Sequence, residues 1–124
     1  MTKRYHRNVC WDEQFDPWVK NKILQYSLKG KEFTDHYLQR LKLRHITKVP
    51  TVDELLAGKL MEVEIEPDGS LHKAVIRTNL NQTKDSLTAL GFNDMMGLVY
   101  VTAFSSPKSY RMWHPDAEKY EKRL

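Results

Sequence analysis

The chain has 124 residues, 40% hydrophobic and 29% charged, with a formal charge of +4 and one cysteine, Cys10. A chain of this length supports one core rather than two, which excludes a multidomain enzyme, and its apolar runs fall far short of the roughly 20 residues a membrane-spanning helix needs. A single cysteine can neither close an internal disulfide nor build a thiolate zinc cage. The polar start Met1-Thr2-Lys3-Arg4-Tyr5-His6 does not lead into a secretory signal, so a cytoplasmic protein without membrane contact is expected.

The surplus charge is local. Residues 1–62 carry 12 basic and 8 acidic side chains, whereas residues 63–124 carry 8 of each. Most of the excess lies between Lys29 and Lys48, where Lys29, Lys31, Arg40, Lys42, Arg44 and Lys48 are set against only Glu32 and Asp35. Such a segment is either a solvated helix face or a patch that meets phosphate. On the second reading Lys29, Lys31, Lys42 and Lys48 are the nucleic-acid-binding candidates.

In chain order, Asp16-Pro17 opens a helix, because Asp16 accepts from free amides and Pro17 fills a position that needs no donor; Gly30 is its expected end. Thr34 caps a second helix reaching about His45, with Tyr37, Leu38 and Leu41 as its apolar stripe. Thr51-Val52-Asp53-Glu54 has capping-box spacing and starts a short helix that ends at Gly58. Leu60 to Glu66 alternates apolar and acidic residues, Pro67-Asp68-Gly69-Ser70 has turn chemistry, and Leu71 to Arg77 returns, which predicts a hairpin. Thr83 to Leu90 is expected as a short helix ended by Gly91. Leu98 to Phe104 is the strongest strand signal and is expected to lie centrally. Ser105-Ser106-Pro107-Lys108 should turn the chain into a strand over Ser109 to Trp113, and Pro115 should open a terminal helix. The resulting expectation is one α+β domain over residues 1–124: N-terminal helices packed on a curved antiparallel sheet of about four strands, followed by a short C-terminal helix. The aromatic residues toward both ends, Trp11, Phe15, Trp18, Tyr26, Tyr110, Trp113 and Tyr120, are expected chiefly to pack over that sheet.

Within Phe33 to Thr47, His36, Arg40 and Arg44 recur every four positions on one flank of the second helix. This His-x3-Arg-x3-Arg pattern, with the Ile46-Thr47 step, resembles the opening of a family of small bacterial and phage domains of unknown function. The short helix ending at Gly58 and the strands at Leu60–Ile65, Val75-Ile76-Arg77 and Val99-Tyr100-Val101-Thr102 follow in that family's order, so the resemblance covers roughly residues 33–104. His45 and a long Asn79 to Gly97 insertion depart from the pattern. The family is similar in turn to the barnase, colicin and RelE-type ribonuclease toxins, in which helices precede a curved sheet that receives the substrate. The resemblance implies RNA cleavage without a metal or other cofactor, with His36, Arg40, Arg44, Arg77 and Thr102 at the catalytic site. It also implies an antitoxin partner if the protein is a free-standing toxin.

Metal-free RNA cleavage needs a base for the 2′-hydroxyl proton, an acid for the leaving oxygen and cations for the crowded phosphate. His36 is the first candidate for acid or base, and Arg77 for holding phosphate, with Thr102 orienting it. His72 and His114 are further imidazoles that could supply a second acid or base. His6, His45, His72 and His114 lack metal-ligand spacing, so no zinc site is expected. No Gly-rich phosphate loop, Gly-x-Ser-x-Gly elbow or Cys–His pairing occurs. The rival expectation is a non-catalytic module, such as a phage or mobile-element inhibitor of a host protein, that uses its aromatic ends as the interface.

Overall fold

The computed structural model describes residues 1–7 and 11–109. Its elements in chain order are β1 (Lys3–His6), α1 (Phe15–Ser27), β2 (Lys31–Phe33), α2 (Asp35–Leu43), α3 (Val52–Ala57), β3 (Lys59–Ile65), β4 (Leu71–Asn79), β5 (Lys84–Asn93) and β6 (Gly97–Pro107). Local chemistry sets the helix starts. The amide of Tyr37 donates to the Thr34 hydroxyl at 3.0 Å, and Thr51 and Glu54 exchange the two bonds of a capping box at 3.0 and 3.2 Å. Lys20 on α1 donates through Nζ to the carbonyls of Leu56 and Gly58, at 2.6 and 2.7 Å, and so closes the C-terminal end of α3.

α2 ends in a Schellman motif. The amide of Ile46 reaches back to the Leu41 carbonyl at 2.9 Å and that of His45 to Lys42 at 3.3 Å. The motif needs a left-handed residue, and His45 takes it at φ 53°. The unusual residue in the His-Arg-Arg segment therefore occupies a position that the turn geometry reserves for glycine or asparagine.

Strands β3 to β6 form an antiparallel meander. The short β1 is added antiparallel outside β3, and the short β2 is added parallel outside β6, giving the order β1-β3-β4-β5-β6-β2. α1 lies against β5, β6 and α3, while α2 packs on β6. Beneath the helices a core gathers Val19, Ile23, Tyr37, Leu55, Leu60, Ile76, Leu90 and Tyr100, all essentially inaccessible to solvent. The Tyr100 hydroxyl donates to the Pro50 carbonyl at 2.8 Å, tying the loop before α3 to the sheet. Gly97 joins β6 to the end of α1. Its φ is +95°, and a Cβ there would lie 2.7 Å from the Gly30 nitrogen and 2.8 Å from the Tyr26 carbonyl oxygen, so only glycine fits.

Several expectations are corrected. The sheet has six strands, not about four, and is mixed rather than antiparallel. It does not simply follow the helices, because β1 precedes α1 and β2 separates α1 from α2. The stretch expected to hold a Thr83–Leu90 helix within an insertion is β5, a central strand hydrogen-bonded on both sides. Pairing to two neighbours at once outweighs the local helical pattern of Thr-Lys-Asp-Ser-Leu. β6 lies one strand in from an edge, and it continues through Ser105, Ser106 and Pro107, where a turn was expected. α1 stops at Ser27 rather than Gly30. Leu38, expected in the apolar stripe of α2, is 47% exposed. The C-terminal helix from Pro115, the expected strand beyond Ser109, and Cys10, Tyr110, Trp113, His114 and Tyr120 lie outside the described residues. Trp11, Phe15 and Trp18 do pack: Phe15 meets Trp11 edge-on at 5.1 Å between centroids and Trp18 at 6.3 Å.

Candidate functional site

Directly opposed residues of neighbouring strands share a sheet face, so the register sorts the candidates. Val75 pairs with Ala89 and Ala89 with Thr102, while Arg77 pairs with Leu87 and Leu87 with Phe104. Val75, Leu87, Ala89 and Phe104, together with Met61 and Val101, form a second apolar cluster on the face opposite α1 and α3. Arg77 and Thr102, two of the residues taken from the family pattern, therefore stand on one face in adjacent rows. Arg44, at the C-terminal cap of α2, joins them: its guanidinium lies 4.9 Å from the centre of the Phe104 ring. The apolar members of the cluster are buried, whereas Arg77 and Thr102 at its margin are partly exposed.

The structure does not gather the other candidates there. His36 is exposed and accepts from Arg40 Nε at 3.3 Å through its Nε2. It lies two helical turns, about 12 Å of rise, before Arg44, so the imidazole and the guanidinium that reaches Phe104 occupy opposite ends of α2. Nor do the four lysines make one patch. Lys29 donates to the Asp94 carbonyl at 3.2 Å and lies over the Tyr26 ring, and Lys31 is exposed on edge strand β2. Lys42 borders a shallow depression on α2 with Asp35, Leu38 and Gln39, and Lys48 is ion-paired with Glu54.

At the other end of the same face is a group that the sequence reading passed over. His6 pairs with Glu62 and Arg4 with Glu64 across β1 and β3. Glu62 is itself opposite Val75, which places it on the face that carries Arg77. Arg77 is two residues beyond Val75 on that face, across the β3 register irregularity at Met61, and pairs with Lys59. The two glutamates are buried, at 5% and 6% exposure. Nδ1 of His6 lies 3.4 Å from Glu62 Oε1, and Arg4 Nε lies 3.4 Å from Glu62 Oε2. Arg4 Nη2 donates to Glu64 at 3.2 Å, and Lys73 Nζ stands 3.5 Å from the same carboxylate.

The two carboxyls are driven apart. Burial pushes Glu62 above the ordinary glutamate range, and the opposing pull of Arg4 and His6 does not cancel it. Burial acts on Glu64 in the same sense, but Lys73 and Arg4 outweigh it and hold that carboxyl below the ordinary range. Nδ1 of His6 is buried without a hydrogen bond. The signal for this group was partly visible, since the Leu60–Glu66 alternation already puts Glu62 and Glu64 on one face. What was missing was β1, a four-residue edge strand with no strong local pattern.

The end of β1 is held firmly. Arg7 forms a fork on Asp16, at 2.7 and 3.3 Å, donates to the Leu60 carbonyl at 2.6 and 2.9 Å, and lies over the Trp11 ring. That carbonyl sits beside the irregularity in β3 register between Leu60 and Glu62. A polar depression of about 350 Å³ opens beside Arg77, lined by Glu54, Lys59, Asn79 and Asp85 among others. Among the described residues, no three of His, Cys, Asp and Glu are grouped to hold a metal ion, and no helix is long and apolar enough to cross a membrane.

No family model, curated protein or solved structure matches the chain.

Proposed function

We propose that this is a ribonuclease-like domain of toxin type that binds, and cleaves without a metal, single-stranded RNA laid across the face opposite α1 and α3. The observation that carries the reading is the row Arg77–Leu87–Phe104 with Arg44 over the ring and Thr102 in the next row. Guanidinium groups suit phosphate, and their planar charge also suits stacked bases. Three of the five residues implied by the family resemblance, Arg44, Arg77 and Thr102, converge on that face. A cytoplasmic setting and an antitoxin partner belong to the same proposal and come from the resemblance and the single cysteine.

The test is fluorescence anisotropy of a labelled RNA oligonucleotide at several salt concentrations. Arg77→Ala and Arg44→Ala should each weaken binding and lower the salt slope by about one phosphate contact. Lys31→Ala, on the far edge strand, should leave affinity unchanged. Affinity that is absent, or indifferent to both arginines, would sink the reading.

One observation favours the rival protein-binding module. Leu24, Leu28, Met95 and Met96 are 47%, 82%, 90% and 48% exposed at the end where α1 meets the β5–β6 turn. Linked there by the Tyr26–Asp94 hydrogen bond at 2.7 Å, they form an apolar tip of the kind partners cover. Leu28→Glu with Met95→Glu would abolish binding to an antitoxin or host protein through this tip and leave RNA affinity intact.

A further inference from the structure

We propose that the cleft between α1 and the β3–β4 turn is a binding site for a small aromatic carboxylate, a single planar ring held among aromatic side chains with its anionic group on Lys22. Phe92, which lines the cleft, pairs with Leu98 of the core beneath the helices. The cleft therefore lies on the helix-bearing side of the sheet, and the inference stands apart from the reading of the opposite face as an RNA surface.

One side of the cleft is written along α1 at intervals of four. Trp18, Lys22 and Tyr26 share a stripe of that helix, with the two aromatic residues about 12 Å of rise apart and the lysine midway. Facing the stripe, Gly69 and Ser70 of the β3–β4 turn close the other side, buried Leu71 underlies it, and Phe92 of β5 stands beside Tyr26. The space between them is about 140 Å³. That is well below the roughly 300–1,000 Å³ of a site for a drug-sized ligand, so the cleft takes one ring and no more.

The walls are set before any ligand arrives. Trp18 lies against Phe15 at 6.3 Å between centroids, and Tyr26 meets Phe92 edge-on at 5.5 Å while its hydroxyl donates to Asp94 at 2.7 Å. Across the cleft, the amides of Glu66 and Gly69 close the turn by donating to the carbonyls of Ser70 and Glu66, each at 2.8 Å. The amide and hydroxyl of Ser70 donate to Asp68 at 2.9 and 2.6 Å, which satisfies that carboxylate within its own turn. Both hydroxyls of the lining are thus bonded, whereas Lys22 has no hydrogen bond or ion pair among the described residues. Aromatic walls alone accept a cation as readily as a planar anion, because ring faces attract ammonium groups. Lys22 decides between the two. A quaternary ammonium would meet its like charge, while a carboxylate gains a charge-assisted bond and its ring fills the space between Trp18 and Tyr26. Asp94 does not reverse this balance, since Lys29 donates to its carbonyl and lies over the same Tyr26 ring.

The experiment is an amide NMR titration of the full chain with benzoate at neutral pH and constant ionic strength. Acetate, which has the charge without the ring, benzamide, which has the ring without the charge, and tetramethylammonium are titrated in parallel. Benzoate should saturate with a Kd of about 1 mM, the range open to a ligand of so few atoms, and shift the Trp18 indole and the Gly69 and Leu71 amides together. Acetate and benzamide should each bind at least about 10-fold more weakly, and tetramethylammonium should not bind. Lys22→Met removes the charge and keeps the stem at a partly exposed helix position, so the fold is retained and benzoate should fall to the affinity of benzamide. Trp18→Leu should weaken benzoate and benzamide alike; if it does not fold, Lys22→Met carries the test. Benzoate that never saturates, that shifts residues elsewhere, or that binds Lys22→Met as tightly as wild type would overturn the site. So would benzamide that matches benzoate, or tetramethylammonium seated in the cleft. The RNA reading keeps its own anisotropy test, because Trp18 and Lys22 lie across the sheet from the Arg77 face.

Discussion

Under the helices, Leu60, Val63, Ala74, Ile76, Leu90 and Leu98 meet Val19, Ile23 and Leu55, and the polar groups buried among them, the hydroxyls of Tyr37, Ser86 and Thr88, are uncharged. On the opposite face Met61, Val75, Leu87, Ala89 and Phe104 are buried just as deeply, but beside Glu62, Glu64 and Asp85. The two faces differ in what each buried group demands. Apolar atoms ask only for close packing, whereas each buried carboxylate needs cations or donors, and those partners must be fixed in place. The first face therefore carries stability, and the second carries the charged groups that chemistry can use.

The largest expected effect compares the two faces at adjacent positions of β3. Leu60 is wholly buried beneath the helices, and Met61 is 2% exposed on the other side at the register irregularity. Leu60→Ala should cost about 3–5 kcal/mol and Met61→Ala about 2–3 kcal/mol in urea unfolding, because a leucine fixed between sheet and helices leaves a cavity that collapses less readily than the space vacated by an unbranched, adaptable methionine. Equal losses would remove the distinction between a rigid and an adaptable face.

How much of this was legible in the sequence follows the same division. Thr34, Thr51 and Glu54 announce their helices, because a cap is a local hydrogen bond between residues three apart. The β3–β4 hairpin is equally plain, since Pro67 to Ser70 and the flanking alternation lie within one short stretch. β5 was not legible: Ser86, Thr88 and Leu90 face the helices while Leu87 and Ala89 face away, and with both sides buried the alternation that marks a half-exposed strand is lost. β1 and β2 were missed because strands of four and three residues owe their structure to the neighbours β3 and β6. The candidate site divides likewise. Arg77, Thr102 and Arg44 came from a sequence pattern and share a face, whereas the Glu62–His6 contact joins residues 56 positions apart and depends on pairing that no local signal records.

The two glutamates allow a sharper test within the second face. Their exposures are nearly equal, so burial alone predicts the same pH behaviour for both. Partner geometry predicts opposite behaviour. Glu62 is raised in the folded state, so its contribution to stability is present below the ordinary value of 4.5 and is lost as pH rises through the raised value. Glu64 is lowered, so its contribution is present above 4.5 and is lost as pH falls through the lowered value. Measured by denaturation between pH 3 and 7, Glu62→Gln should gain on wild type as pH rises, and Glu64→Gln should fall behind it. Parallel curves for the two variants would mean that Arg4 and Lys73 do not distinguish the carboxyls.

The smallest effect concerns the segment that touches both faces. Within three residues Arg44 reaches Phe104 on the second face, His45 turns the chain, and Ile46 enters the core beneath the helices. The reversal is made by the left-handed backbone of His45, which a side-chain-bearing residue adopts at a cost of about 1–2 kcal/mol. His45→Gly removes that cost and adds some chain entropy to the unfolded state, so a net gain of about 0.5–1 kcal/mol is expected. His45→Val, whose branched side chain resists the same backbone, should instead lose about 1–2 kcal/mol. Since both substitutions leave Arg44 and Phe104 untouched, RNA affinity should follow neither. If affinity tracked stability across the pair, the Arg44–Phe104 contact would owe its geometry to the strain at His45, and the two faces would be coupled through this turn.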